Sequence, residues 1–165
     1  VGREVQIKKF KMGVAGCPNS CSAPQVNDLG FMAEVEPLVV VEQCDECELC
    51  ADACREKAIT LGGGKLTIDR ALCVNCGDCI KTCPIDAIAA GREGYTVFIG
   101  GKVGRHPRFG TQVAEFVSSE DVPGWVDGLL NFLQARGTKA ERLGALLDRI
   151  GFEGLRDYLP VEVKV

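Results

Sequence analysis

Histidine is nearly missing from this chain: His106 stands alone in 165 residues. A lone histidine is more often a surface or packing residue than a catalyst, and no histidine-rich chemistry is built from one. Long apolar runs are missing too, and nothing approaches the roughly 20 residues that span a bilayer. Together with 46% hydrophobic residues and a mean hydropathy of +0.08, this leads us to expect a soluble protein without a membrane span. Excess positive charge is the third absence. With 19 Lys and Arg against 23 Asp and Glu, the net charge of -4 argues against nucleic acid as a partner. No signal-peptide core is visible either, which weakens a secreted, disulfide-stapled reading.

Cysteine is what the chain has, ten in all. Eight fall into two runs of one pattern: Cys44, Cys47, Cys50, Cys54 and Cys73, Cys76, Cys79, Cys83, each spaced C-x2-C-x2-C-x3-C, the second followed by Pro84. They are too tightly clustered to bridge remote segments. Zinc sites pair two distant doublets and do not repeat triplets with an x3 fourth ligand. The spacing is that of a two-cluster bacterial ferredoxin, where three close thiolates hold one 4Fe-4S cube and the last cysteine of each run serves the other cube. On that pattern Cys44, Cys47, Cys50 and Cys83 form one set, and Cys73, Cys76, Cys79 and Cys54 the other. Thiolates in metal-bound roles imply a reducing, anaerobic cytoplasm.

The runs form an internal repeat, Cys44 to Ile59 matching Cys73 to Ile88, with Arg55 where proline is usual after the fourth cysteine. That departure removes no ligand but is expected to alter the local turn. From Glu42 to Asp86 the acids Glu42, Asp45, Glu46, Glu48, Asp52, Glu56, Asp69, Asp78 and Asp86 outnumber the bases Arg55, Lys57, Lys65, Arg70 and Lys81, a solvated face or one that meets a basic redox partner. So little apolar core lies between the runs that residues 42 to 90 are expected to lose order first if iron is absent.

Around this segment the pattern predicts a strand over residues 5 to 15, a β-rich run from Leu38 to Val41, and a hairpin of residues 58–61 and 65–68 about Gly62-Gly63-Gly64. Short helices are expected from near Cys47 and near Cys76, and an apolar strand over residues 94–101. Three helical stretches follow: Val122 to Ala135 behind a Ser118-Ser119-Glu120-Asp121 cap signal, Thr138 to Ile150, and Phe152 to Leu159. Trp125, Phe132 and the leucines of this tail are expected core.

Cys17 and Cys21, taken alone, are compatible with buried thiols or half of an unrelated metal site. The stretch Lys9-Phe10-Lys11-Met12-Gly13-Val14-Ala15-Gly16-Cys17-Pro18-Asn19-Ser20-Cys21 closely resembles the sirohaem and 4Fe-4S binding segment of sulfite and nitrite reductases. In the dissimilatory and anaerobic sulfite reductases a two-cluster ferredoxin domain is inserted shortly after it, as here. Tyr95 to Arg105, and the tail with Glu141-Arg142-Leu143-Gly144 and Arg149-Ile150-Gly151, resemble the family's carboxy-terminal half.

The resemblance implies an α+β fold in which a ferredoxin domain, residues 41–90, is inserted in the carboxy-terminal half of a sirohaem reductase domain, residues 1–40 and 91–165. It implies sirohaem and a third 4Fe-4S cube in the intact enzyme, with Cys17 and Cys21 as two of that cube's ligands and Cys21 bridging to the haem iron. The family's upstream C-x5-C pair has no match here, since sixteen residues precede Cys17. The expected reading is therefore the carboxy-terminal portion of a longer sulfite reductase subunit, inactive by itself. The implied partners are a protein electron donor, other reductase subunits, and sulfite or nitrite. Lys9 and Lys11, two apart on the expected strand, and Arg105 after a glycine-rich turn beside His106 and Arg108, are candidates to grip haem carboxylates, although surface lysines are the commoner case. Asn19 is expected to order the cysteine loop through backbone hydrogen bonds. A non-catalytic ferredoxin-type carrier on a reductase scaffold, and a nitrite reductase, remain as alternatives.

Overall fold

The computed structural model describes residues 7, 9–40, 44–63 and 65–160. Its strands are β1 (Met12–Ala15), β2 (Leu29–Val39), β3 (Ile59–Gly62), β4 (Lys65–Ile68), β5 (Ile88–Ile99) and β6 (Thr111–Val117); its helices are α1 (Leu49–Ala53), α2 (Asp78–Thr82), α3 (Val122–Arg136) and α4 (Leu143–Ile150), with 3-10 turns at Pro24–Val26 and Glu153–Tyr158. Four strands form a mixed sheet in the order β1-β2-β5-β6, and β3 and β4 form a separate antiparallel hairpin. β1 runs parallel to β2 with Met12 opposite Leu29, and β5 runs antiparallel to β6 with irregular register near Val97. The fold mixes α and β, and among the described residues no helix is long and apolar enough to cross a membrane.

The described residues divide into two compact units, those within Val1–Gly16, Ser20–Ala33 and Gly94–Val165, and those within Cys17–Asn19 and Glu34–Glu93. The first unit is built on an apolar core. α3 carries Trp125, Leu129, Phe132 and Leu133 at helical spacing, and α4 carries Leu143, Leu146 and Leu147; all are sealed against Leu29, Phe31, Val97, Ile99, Val113 and Val117 of the sheet. The expected core roles of Trp125, Phe132 and the tail leucines hold. Each such side chain contributes about 1.5–3 kcal/mol by burial.

A charged pair lies inside this unit. Asp28, fully sealed, accepts from Arg142 Nε at 2.8 Å and Nη2 at 2.6 Å and from the Lys11 N–H at 2.8 Å. The planar guanidinium matches the carboxylate edge, so both oxygens are satisfied across 114 residues of chain.

Several boundaries differ from expectation. Residues 9–11 are not strand: the Asp28 carboxylate takes the Lys11 N–H, and β1 begins only at Met12. β2 starts nine residues before the expected Leu38, and Val41 lies outside the described residues. β5 is a single strand through Gly91 and Gly94, which act as points of close approach and do not break it; a Cβ on Gly91 would meet the Leu38 side chain at 2.8 Å, and one on Gly94 the Phe116 backbone at 2.5 Å. β6 has no counterpart among the expected elements. The second tail helix begins at Leu143, not Thr138, because Glu141 turns back to accept from the Thr138 N–H at 2.9 Å and hydroxyl at 3.1 Å. Glu141 also receives Arg149 at 2.8 and 3.0 Å, and with this guanidinium beside it the carboxyl is held down to about 2. The hairpin and the first tail helix fall where the pattern puts them, within a residue or two.

Candidate iron-sulfur site

The second unit has little apolar substance. Among the described residues its buried cluster is Cys50, Ile59, Leu66, Cys79 and Ile88, so two of the cluster's five members are themselves thiols. What shapes the unit is backbone conformation, repeated. In the first run Glu46, Glu48 and Lys57 take left-handed backbone (φ 58°, 62° and 53°); in the second Asn75, Gly77 and Asp86 do so (φ 55°, 75° and 54°), each 29 residues after its counterpart. Non-glycine residues enter this region at a cost, so five of them at matched places mark a conformation the surroundings impose. Left-handed residues in a loop can turn neighbouring N–H groups to one side, a geometry that cradles anionic groups.

The thiols receive those donors. Ala58 N–H reaches Cys54 Sγ at 3.3 Å, and its repeat mate Ala87 N–H reaches Cys83 Sγ at 3.2 Å. Each run then closes with one helical turn, α1 holding Cys50 and α2 holding Cys79 inward. After the last cysteine the chain turns in the same way in both halves: Cys54 has φ -74°, ψ 105° and Cys83 φ -70°, ψ 114°. Arg55 therefore leaves the turn as it is, contrary to expectation; the extended conformation that Pro84 favours in its predecessor is reached at Cys54 without a proline.

The neighbourhoods of the thiols cross between runs. Burial is the main cause of the raised Cys50 thiol, opposed by the N–H groups of Ala51 and Cys50, and the negative charge of Cys83 and Cys44 adds to it. Cys76 is raised by burial first, and then feels Asp78, Cys73 and Cys54 while the Asp78 N–H opposes. Burial pushes Cys79 up to about 11, with Cys76 and Cys73 adding. Each run thus has the other's last cysteine beside it. Cys54, Cys73, Cys76 and Cys79 line one cavity of about 110 Å³ within this unit, walled also by Ile59, Ile68 and Val74. All ten cysteines of the chain carry free thiols. Among the described residues no three His, Cys, Asp or Glu side chains converge on a point that would suit a single ion, as the 2.3 Å bonds of zinc require.

The donor set fits iron-sulfur clusters on these observations: four thiols around a cavity, backbone N–H groups on their sulfurs, and partial exclusion of water.

The remaining expected residues are distributed between the units. Cys17, half-buried, and Asn19 belong to the cysteine unit; Cys21, Lys9, Lys11 and Arg105 belong to the other, and all four are exposed. Lys9 and Lys11 precede β1, so the shared strand face expected of them is not formed. Arg105 and His106 lie in the loop between Lys102 and Arg108, whose backbones pair at 2.9 Å in both directions. Arg108 is anchored away from that role, donating to Gly144 O at 2.6 Å and pairing with Asp148. Asn19 Oδ1 accepts from Arg55 Nη1 at 3.4 Å.

Two contacts have no signal in the sequence. Asn75, between Cys73 and Cys76, donates from Nδ2 to the buried Glu34 at 3.1 Å while Val35 N–H donates to its carbonyl at 2.9 Å. Asp28 is the other, for its partner Arg142 stands out only within a family-like segment.

Residues 8–165 match the sequence model of the nitrite and sulphite reductase 4Fe-4S domain. Over 146 residues the chain is 37% identical to the coenzyme F420-dependent sulfite reductase of Methanocaldococcus jannaschii, covering 87% of this chain and 23% of that protein. It is 28% identical over 166 residues to the beta subunit of a dissimilatory-type sulfite reductase of Nitratidesulfovibrio vulgaris, covering 87% of this chain and 43% of the subunit. The crystal structure of dissimilatory sulfite reductase I shares the fold, with a TM-score of 0.65 at 23% identity over 91% of this chain and 42% of that one. The chain spans less than half the length of each of these proteins.

Proposed function

The chain belongs to the nitrite and sulphite reductase 4Fe-4S domain family, and we propose that it is the carboxy-terminal, electron-supplying portion of a sirohaem sulfite reductase. In this reading residues 41–90 are a two-cluster ferredoxin domain and residues 1–40 with 91–165 are part of the reductase scaffold. The observation that carries it is the cavity lined by Cys54, Cys73, Cys76 and Cys79, three thiols of one run with the last of the other. Clusters held there and by Cys44, Cys47, Cys50 and Cys83 would supply one-electron transfer, and the sirohaem and third 4Fe-4S cube of the intact enzyme would supply the redox chemistry that takes sulfite to sulfide.

The chain's own residues prepare for this. Left-handed residues at 46, 48, 75 and 77 shape the loops between the cysteines, a conformation that ligation holds in place. The N–H groups of Ala58 and Ala87 donate to the sulfurs of Cys54 and Cys83, and the burial of Cys50 and Cys79 keeps water from theirs. Cys17 and Cys21 offer two thiolates to the third cube, and Lys9, Lys11 and Arg105 offer positive charge to the acidic rim of the haem and to the sulfite anion. A protein donor and the remaining reductase chain complete the assembly.

The test is the absorption spectrum and turnover of the full-length protein that contains this sequence. Sirohaem bands together with sulfite-dependent oxidation of a reduced one-electron donor, six electrons per sulfide, are expected. Iron-sulfur absorption without haem bands would assign a carrier instead, and turnover of nitrite in preference to sulfite would assign a nitrite reductase.

A further inference from the structure

The two halves of the cysteine unit repeat the cysteine spacing and the Ala-Ile that follows, and position 55 is one of the places where their residues differ. Arg55 follows Cys54, and Pro84 follows Cys83 at the equivalent place. Since the turn is the same in both halves, the turn does not require arginine. The guanidinium is engaged elsewhere: Nη1 donates to Asn19 Oδ1 across 36 residues of chain. Pro18, Asn19 and Arg55 line the same cavity as Cys54, Cys73, Cys76 and Cys79. In the other set Cys50 is buried and Cys44 and Cys83 are partly buried, and the difference lies at the second cysteine of each run. Cys47 is exposed, as are Asp45, Glu46 and Glu48 beside it, whereas Cys76, Asn75 and Gly77 of the second run are partly or fully buried.

We propose that Arg55 is a positioning residue which holds residues 17–19 as a cover over the cavity of Cys54, Cys73, Cys76 and Cys79, so that one of the two metal sites is better shielded than the other. The proposal rests on the reading of eight cysteines as two cluster sites. Charge is what suits arginine to this place, since a fixed cationic fork reaches the amide oxygen of Asn19 from a residue adjacent to a ligand, and proline at 55 has no group to offer. It also gives Asn19 a use in this unit, as the acceptor of Arg55.

The experiment is anaerobic reconstitution of the full chain, withdrawal of iron by a chelator, alkylation of freed thiols and mapping of the labels by mass spectrometry. The thiols of Cys44, Cys47, Cys50 and Cys83 are expected to be labelled first. Arg55→Pro, which installs the residue of the other half, and Asn19→Ala should each speed labelling of Cys54, Cys73, Cys76 and Cys79 about fivefold, the scale of one ordinary hydrogen bond, as suits a solvent-exposed contact, and leave the first set unchanged. Arg55→Lys should recover most of the lag. Equal labelling of both sets in the parent protein, or no acceleration in either variant, overturns the cover while iron near eight atoms per chain leaves the two-cluster reading standing. Iron at about four atoms or fewer in the parent protein rejects that reading and the cover with it. If Arg55→Pro does not load iron, Asn19→Ala decides the matter alone.

Discussion

Stripped of iron, the protein is expected to lose the order of its cysteine unit while the unit built on Trp125 stays folded. Among the described residues the buried cluster of the unit within residues 34–93 is Cys50, Ile59, Leu66, Cys79 and Ile88, with the small Ala58 and Ala87 also sealed, and without metal the two thiols have no partner to organise them. Five non-glycine residues in left-handed backbone add strain that ligation must offset. Structural metal sites return on the order of 10 kcal/mol to folding, comparable with the whole stability of a small domain at about 5–15 kcal/mol. Limited proteolysis of iron-free and reconstituted protein reads this directly: cuts between residues 44 and 90 should appear only in the iron-free form, with the fragment carrying α3 and α4 surviving. Equal resistance of the two forms would refute it.

Arg142→Ala should be the most damaging single substitution in the other unit. Asp28 is sealed from solvent and receives both its side-chain cation and the Lys11 N–H there. Removing the guanidinium leaves a buried carboxylate with one backbone donor, a change that costs about 3–5 kcal/mol. Asp28→Ala should cost less, because Arg142 keeps about a quarter of its side chain in water and can swing outward. The pair closes β2 against the start of α4, so the double substitution should cost less than the sum of the two. Trp125, the one tryptophan and fully buried in the same core, reports unfolding of this unit by fluorescence in denaturant. A loss under about 1 kcal/mol in Arg142→Ala would show the pair to be incidental.

What is legible in the sequence is whatever is written locally. The two cysteine runs, their repeat, the hairpin and the leucine stripes of α3 and α4 all depend on spacing within a few residues, and the hairpin and both helices stand in the fold as elements. Pairings made through space are not legible. Asp28 meets Arg142 across 114 residues, and nothing in either neighbourhood announces the other. β6 escapes sequence reading because its seven residues alternate weakly, with Phe116 in left-handed backbone disturbing the pattern. In β5 the apolar run from Gly94 marks only the second half of a strand that begins at Ile88; the closeness of Leu38 and Phe116 explains why Gly91 and Gly94 sit mid-strand. Arg55 is visible in the sequence as a departure from the repeat, but its use emerges only with Asn19 beside it.

The central claim is that the two runs exchange their last cysteines, and replacing each of those in turn tests it most directly. Cys54→Ala in the reconstituted protein should release the iron of Cys73, Cys76 and Cys79, bringing the content from about eight atoms to about four and opening those three thiols to alkylation, with Cys44, Cys47, Cys50 and Cys83 still protected. Cys83→Ala should do the reverse. Loss of protection at Cys44, Cys47 and Cys50 on replacing Cys54 would contradict the crossed arrangement.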